Sequence, residues 1–411
     1  MNPYFMMAGV FTLLAGLMAI DVALAQVGQV PVFAGIRWLR VHLVTLGIGT
    51  ELLFGLVPMV ARGRLEGGTT SWGRFLLLNG GILALLIGLP SVNKMAVYAG
   101  GTLVFLAAAL LIDDVRRALP SAARVGGETG GRPSGKWFYV TGFAYFLVGV
   151  TVGTGVLFGW AGPLRIVTPL EAHIHANTWG LMSLSFAGLL VDLLPRWAGR
   201  ELAWPGAVRP IYWMMTLGAA GLVAGPWTGL AVITAPGLIL HVASTLWLLS
   251  LVVASVRGTS MVREPGVWHL VTAYAWIIAP LTAAPMVMLQ VEWFPGAAVE
   301  ALAPQAMVYG WLLQVAIAVL PFALRRQLLR DEHARLGGSW FTLGALHGGA
   351  ILLWLSIFAI DARGPLSAGA YVLWAVAIAA AGLDVWGIVG QRPGADTDAD
   401  ASETGTPALA R

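Results

Sequence analysis

The sequence predicts an all-α membrane protein, with twelve transmembrane helices in three pseudo-threefold-related four-helix modules. Three observations predict it. First, 58% of the 411 residues are hydrophobic and only 11% are charged, with a mean hydropathy of +0.79. No soluble domain of ordinary composition has that balance, and many runs approach the roughly 20 apolar residues that cross a bilayer. Second, Lys and Arg are divided unequally between alternate connecting segments. Third, small patterns of aromatic, glycine and polar residues return at fixed offsets.

The spans fall near 4–26, 38–61, 72–91, 95–113, 138–160, 170–194, 210–226, 229–255, 267–291, 302–324, 339–360 and 367–390. The stretch DVALAQ, Asp21 to Gln26, looks like a cleavage site. No Lys or Arg precedes it, as a signal peptide would require, so the segment is read as the first helix. With the N-terminus inside, 19 Lys and Arg lie on inner segments and 5 on outer ones, namely Arg37, Arg40, Lys94, Arg165 and Arg363. This asymmetry places both termini in the cytoplasm of a multi-pass plasma-membrane protein and calls for an even number of helices. The connection near 114–136 is rich in Gly, Arg and Ser and reads as flexible. The tail, 391–411, is acidic and polar and reads as disordered.

Residues 1–390 read as one membrane domain of three modules, about 1–117, 135–257 and 266–390. In their first helices, Phe5, Gly9 and Gly16 recur as Phe138, Gly142 and Gly149, and as His269, Ala273 and Pro280. In their second helices, His42 precedes Gly47 by five residues, as His175 precedes Gly180 and Gln305 precedes Gly310. In the third helices, Ser71-Trp72 and Asn79-Gly80-Gly81 recur as Ser339-Trp340 and His347-Gly348-Gly349, with a looser middle copy. Recurrence at such periods is the mark of a repeat architecture.

Cysteine is absent, which excludes disulfides, thiolate ligands and iron–sulfur clusters. Any metal rests on His, Met, carboxylates or a cofactor. Of the seven histidines, His333 lies in a loop and reads as solvated. His269, at an inner helix end, reads as a polar anchor. Ionisable groups within a bilayer are functional-site hypotheses by default, so the other five are candidates. His42, His173 and His175 begin helices that run inward from the outer face. His241 and His347 lie nearer mid-membrane and are candidate metal ligands. His173 and His175, two residues apart on a helix, point about 200° apart. They cannot chelate one ion, but they can serve two sites, and neutral imidazole is a common axial ligand of haem iron. The alternative is that they are interfacial histidines bonded to Asn177, Glu171 or a loop. Glu51, deeper in the second helix, is a candidate proton relay or a protonated interhelical contact. Trp179 and Trp311 stand one turn past the histidine level, where they could pack on a porphyrin. No P-loop, dinucleotide fingerprint or nucleic-acid module is present.

The segment HIHANTWGLMSLSFAGLLVDLLP, His173 to Pro195, resembles the tenth helix of the catalytic subunit of haem–copper oxidases and nitric oxide reductases. Its H-x-H, small-residue-rich helix and closing proline carry the likeness, as do twelve helices in three pseudo-symmetric modules. The resemblance implies haem, of b-type, as cofactor. It implies His42 and His175 as the two ligands of a low-spin haem, with His173 facing a second pore. It also implies respiratory electron transfer or oxygen and nitric oxide handling, with a cupredoxin or cytochrome donor at the outer face. The sequence departs from that pattern in three ways. Its H-x-H helix is the sixth, its tenth helix carries Gln305, and it holds neither a His-His pair nor a His-x-x-x-Tyr for a copper centre. A haem-binding relative without a complete oxygen-reducing centre is therefore expected, with His241 and His347 the remaining copper ligands and at most one of them near His173. A non-catalytic haem or copper protein for sensing, delivery or assembly is the second reading. A secondary transporter is the third, disfavoured because transporters tend toward inverted or two-part repeats.

Overall fold

The computed structural model describes residues 2–33, 37–63, 65, 71–118 and 134–391. Its helices are α1 Pro3–Gln26, α2 Trp38–Ala61, α3 Trp72–Gly88, α4 Lys94–Arg117, α5 Lys136–Phe158, α6 Pro169–Ala198, α7 Pro205–Thr228, α8 Ala231–Val256, α9 Pro265–Met288, α10 Gly296–Leu329, α11 Trp340–Phe358 and α12 Ile360–Gly390. Among the described residues, eleven are long and apolar enough to cross a membrane, and α3 is the shorter exception. The chain is thus an all-helical protein suited to a lipid bilayer. Most of the predicted 114–136 connection and nearly all of the 391–411 tail lie outside the described residues.

Local chemistry sets the helix ends. The side chains of Asn2, Ser71 and Asn93 accept from Tyr4 N, Arg74 N and Ala96 N, satisfying first-turn donors that the helix itself leaves unpaired. Ser339 and Thr342 form a reciprocal capping box at α11. Gly159, Gly199 and Gly229 close α5, α6 and α7 with positive φ, where a side chain would be strained. Several boundaries differ from expectation. Helix α3 stops at Gly88, and α6 and α10 extend well beyond 170–194 and 302–324. Helix α9 is interrupted at Ala273–Tyr274 and carries Pro280 and Pro285.

Burial sorts the helices. The apolar windows of α2, α6 and α10 are 94%, 89% and 100% buried, whereas the other eight long helices bury half or less of theirs. Three helices therefore form the centre and the others present apolar faces outward, as lipid-facing helices do. Packing recurs every four helices. The pairs α3–α4, α7–α8 and α11–α12 are tight hairpins, and α4 packs on α5, α8 on α9, and α12 back on α1. The hairpins close on small residues: a Cβ on Gly81 or Gly88 would overlap α4, and one on Gly218 or Gly225 would overlap α8. Close helix approach through small residues is how helices associate where lipid removes the hydrophobic drive.

The N-terminus and the far ends of α2 and α10 share one face. Asn2 N donates to Gln327 Oε1 at 2.8 Å, and Asn2 Nδ2 donates to Gly55 O at 3.4 Å. The histidines that begin α2 and α6 are at the other face.

Candidate functional site

Each central helix widens into a π-helical turn just past the same level: Leu43–Gly49 in α2, Ala176–Met182 in α6 and Val308–Leu312 in α10. Such turns leave carbonyls under-bonded and cluster at functional sites. Here polar side chains take up carbonyls at each turn. Thr45 Oγ1 donates to Val41 O (3.1 Å), Asn177 Nδ2 to His173 O (2.8 Å) and Gln314 Nε2 to Gly310 O (2.6 Å). The aligned glycines lie in these turns, each roofed by an aromatic ring from the preceding helix. Phe11 covers Gly47, Tyr145 covers Gly180 and Trp276 covers Gly310, all too close to admit a Cβ.

His42, His173 and His175 are half-buried. Their Nδ1 atoms meet backbone carbonyls: Trp38 O at 2.9 Å, Gly149 O at 2.7 Å and Leu222 O at 2.5 Å. In a neutral imidazole, Nδ1–H donating to a carbonyl leaves Nε2 with its lone pair. That second-shell bond is also what orients a metal-ligating histidine. No hydrogen bond to Nε2 of the three is formed among the described residues.

His173 and His175 do face opposite ways, the first to α5 and the second to α7. The expected pairing of His42 with His175 is corrected. The His42 ring lies 6.1 Å from that of His173, within 19° of parallel. The reason is rotational. His42 and His175 share an offset to Gly47 and Gly180, but the His175 ring turns to α7, with Nδ1 on Leu222 O, while His42 meets His173, two places earlier on α6. Around the pair, Trp38 stacks on His42 at 4.3 Å. On α5, Gly153 makes room for the His173 ring, whose Cε1 and Nδ1 would lie 2.5 Å from an added Cβ. Asn177, one of the bland partners expected, does hold His173, through its carbonyl.

The same relation recurs between α10 and α2. Gln305 stands where His42 stands and Arg40 where His173 stands, and Arg40 Nη1 donates to Gln305 Oε1 at 3.4 Å. Tyr371 OH donates to the same oxygen, and Tyr309 OH donates to Arg40 O at 3.2 Å. Tyr309 stacks on Trp374 at 4.7 Å. This polar and aromatic junction was not singled out from the sequence. The signal that could have found it is the repeat offset itself, which aligns Arg40 with His173.

The remaining candidates are dispersed. His241 is fully buried, with Nε2 3.1 Å from Ser183 Oγ and its ring 5.5 Å from that of Trp179, which in turn lies 6.2 Å from His175. His347 has both nitrogens engaged: Trp276 Nε1 donates to Nδ1 at 2.9 Å, so Nε2–H donates to Thr272 Oγ1 at 2.7 Å. Neither forms a hydrogen bond or ring contact with His173, and no cluster of three or more His, Asp or Glu suited to a metal exists among the described residues. His269 is fully buried at the start of α9, with Nε2 3.0 Å from Thr342 Oγ1 of α11. Trp311 packs on Phe186 and Tyr274. Glu51 is fully buried, and Asn79 of α3 is its polar neighbour. His333 is exposed.

No protein-family model matches the sequence, and no curated protein matches it.

Proposed function

We propose that the chain is an integral membrane haemoprotein resembling the catalytic subunit of haem–copper oxidases, built as three four-helix modules around α2, α6 and α10. Its role is respiratory electron transfer or the handling of oxygen or nitric oxide. The observation that carries this reading is the His42–His173 pair. The two rings lie side by side from two different helices, and a metal held between them would take its donors from the Nε2 atoms that the carbonyl bonds leave free. Their closeness and the two carbonyl-held Nδ1 atoms suit that use. In this reading His42 and His173 hold a b-type haem, which supplies a one-electron couple when bound. The residues of the chain fix its ligands and exclude water: Trp38 covers His42, Gly153 admits the His173 ring, and Asn177 pins the α6 turn.

His175 belongs to the next junction. The relation that sets His173 opposite His42 assigns Ala303 to the position opposite His175, so that junction offers one imidazole and a small residue. His241 and His347 are committed to Ser183 and to Trp276 and Thr272, which favours an electron carrier over an oxygen-reducing copper centre. The charge asymmetry of the connecting segments supports cytoplasmic termini, and so an outer-face level for the histidines, within reach of a cupredoxin or cytochrome donor.

A copper(I) ion is the second reading, because the same two imidazoles would serve it as donors. A reduced-minus-oxidised optical spectrum of the purified protein, with metal analysis, tests both. A sharp α-band with stoichiometric iron is expected. Copper without iron favours the second reading, and neither metal after haem and copper loading overturns both.

A further inference from the structure

At the face that carries the N-terminus, the ends of α6 and α10, with Gly63 and Leu65 just past α2, border a cavity of 670 Å³. Arg196 and Trp197 reach it from the end of α6, Arg326 and Phe322 from α10, and Arg335 and Glu332 from the segment between α10 and α11. Glu264, just before α9, completes the wall. Three guanidinium groups thus arrive from three separate elements. Arg335 forms no ion pair among the described residues, and Arg196 makes no close salt bridge there, with Asp192 one turn before it as its nearest acidic neighbour in charge. Guanidinium forks are well matched to phosphate oxygens, and the volume lies within the ~300–1,000 Å³ typical of small-molecule pockets.

The walls are preformed. The segment before α11 has no helix, yet Gly337 N donates to Ala318 O at 2.7 Å and Arg326 Nη1 donates to Asp331 O at 3.0 Å. His333 N donates to Asp331 Oδ1 at 2.8 Å. Ala334 and Leu336 are buried beneath it, whereas Glu332 and Arg335 are exposed. Trp197 and Phe322 meet edge to face at 5.4 Å and form an apolar floor. The lining is mostly polar and charged, with Arg196, Arg326, Arg335, Glu264 and Glu332 on its walls, which suits a ligand that arrives from water.

We propose that this cavity is a binding site for a soluble phosphorylated solute, with Arg196, Arg326 and Arg335 as its phosphate ligands. Glu264 and Glu332 limit the anionic charge it accepts and offer acceptors to hydroxyl or amino groups on the same solute. Isothermal titration of the full-length protein in detergent, with ATP and with inorganic phosphate, tests the assignment. Saturable binding of one or both is expected, and which one binds tells a phosphate ester from free phosphate. Arg196→Ala and Arg335→Ala, both at exposed positions, should each weaken it about tenfold, a typical loss for one charge-assisted hydrogen bond. Glu332→Gln removes a like charge and should tighten it. Thermal melts run alongside separate lost binding from lost folding. No saturable binding to either probe, binding unchanged in the Arg196→Ala/Arg335→Ala double variant, or binding only to phosphatidylethanolamine vesicles would overturn the proposal.

Discussion

The junction between α2 and α6 and the junction between α10 and α2 share one backbone frame and hold different chemistry. In both, a π-helical turn sets the level, a glycine in that turn is roofed by an aromatic ring, and a side chain meets one from the next central helix two places out of register. The first junction brings His42 to His173. The second brings Gln305 to Arg40 and closes on Tyr371, Tyr309 and Trp374. The first leaves two imidazole lone pairs unclaimed by the protein, and the second ties its amide and guanidinium together. The difference teaches that the frame positions a pair but does not decide what the pair can do. On the proposed reading, two residue identities separate a ligand site from a polar plug.

If the frame is common, its glycines should be equally intolerant. Gly47→Ala, Gly180→Ala and Gly310→Ala each push a methyl into an aromatic ring, and each should cost about 1–3 kcal/mol of stability. Thermal melts of the detergent-solubilised variants check this. A normal melting temperature for one of them would break the equivalence at that junction.

Transplanting the chemistry sharpens the comparison. The double variant Arg40→His/Gln305→His gives the α10–α2 junction the residues of the α2–α6 junction. It should bind one further equivalent of whatever the His42–His173 pair binds, as read by metal analysis and by the amplitude of the optical spectrum. Stoichiometry unchanged in a folded double variant would show that residue identity is not what separates the two junctions.

The smallest effect is expected deeper in α2. Glu51 is buried with Asn79 as its polar neighbour, and it stands nine residues after His42 as Gln314 stands nine after Gln305. Because a glutamine already serves at that level, Glu51→Gln should change stability by no more than about 0.5 kcal/mol, measured by the same melts. If Glu51 relays protons, the variant should slow proton-coupled turnover while leaving the melt alone. A large loss of stability would mean that the carboxyl holds a partner the amide cannot.

Much of this was legible in the sequence, because it rests on signals local to one helix. Composition marks the membrane class, the i, i+2 spacing sends His173 and His175 to opposite sides, and the offsets of Gly47, Gly180 and Gly310 identify the three helices that prove to be central. What was not legible depends on how helices are rotated against one another. His42 and His175 share an offset to their glycines, and that offset does not say which way each ring turns: His42 meets His173, and His175 turns to α7. His347 looked available as a ligand because nothing in its neighbourhood along the chain reveals that Trp276, on another helix, donates to its ring. Nor does any residue pattern announce a π-helical turn, which shifts every later side chain on its helix.

The central claim is that His42 pairs with His173, and the most direct test compares two single variants. Electron paramagnetic resonance of the oxidised, haem-loaded protein should lose its low-spin signal in His173→Ala and keep it in His175→Ala, with His42→Ala matching the former. A low-spin signal retained in His173→Ala and lost in His175→Ala would contradict the pairing.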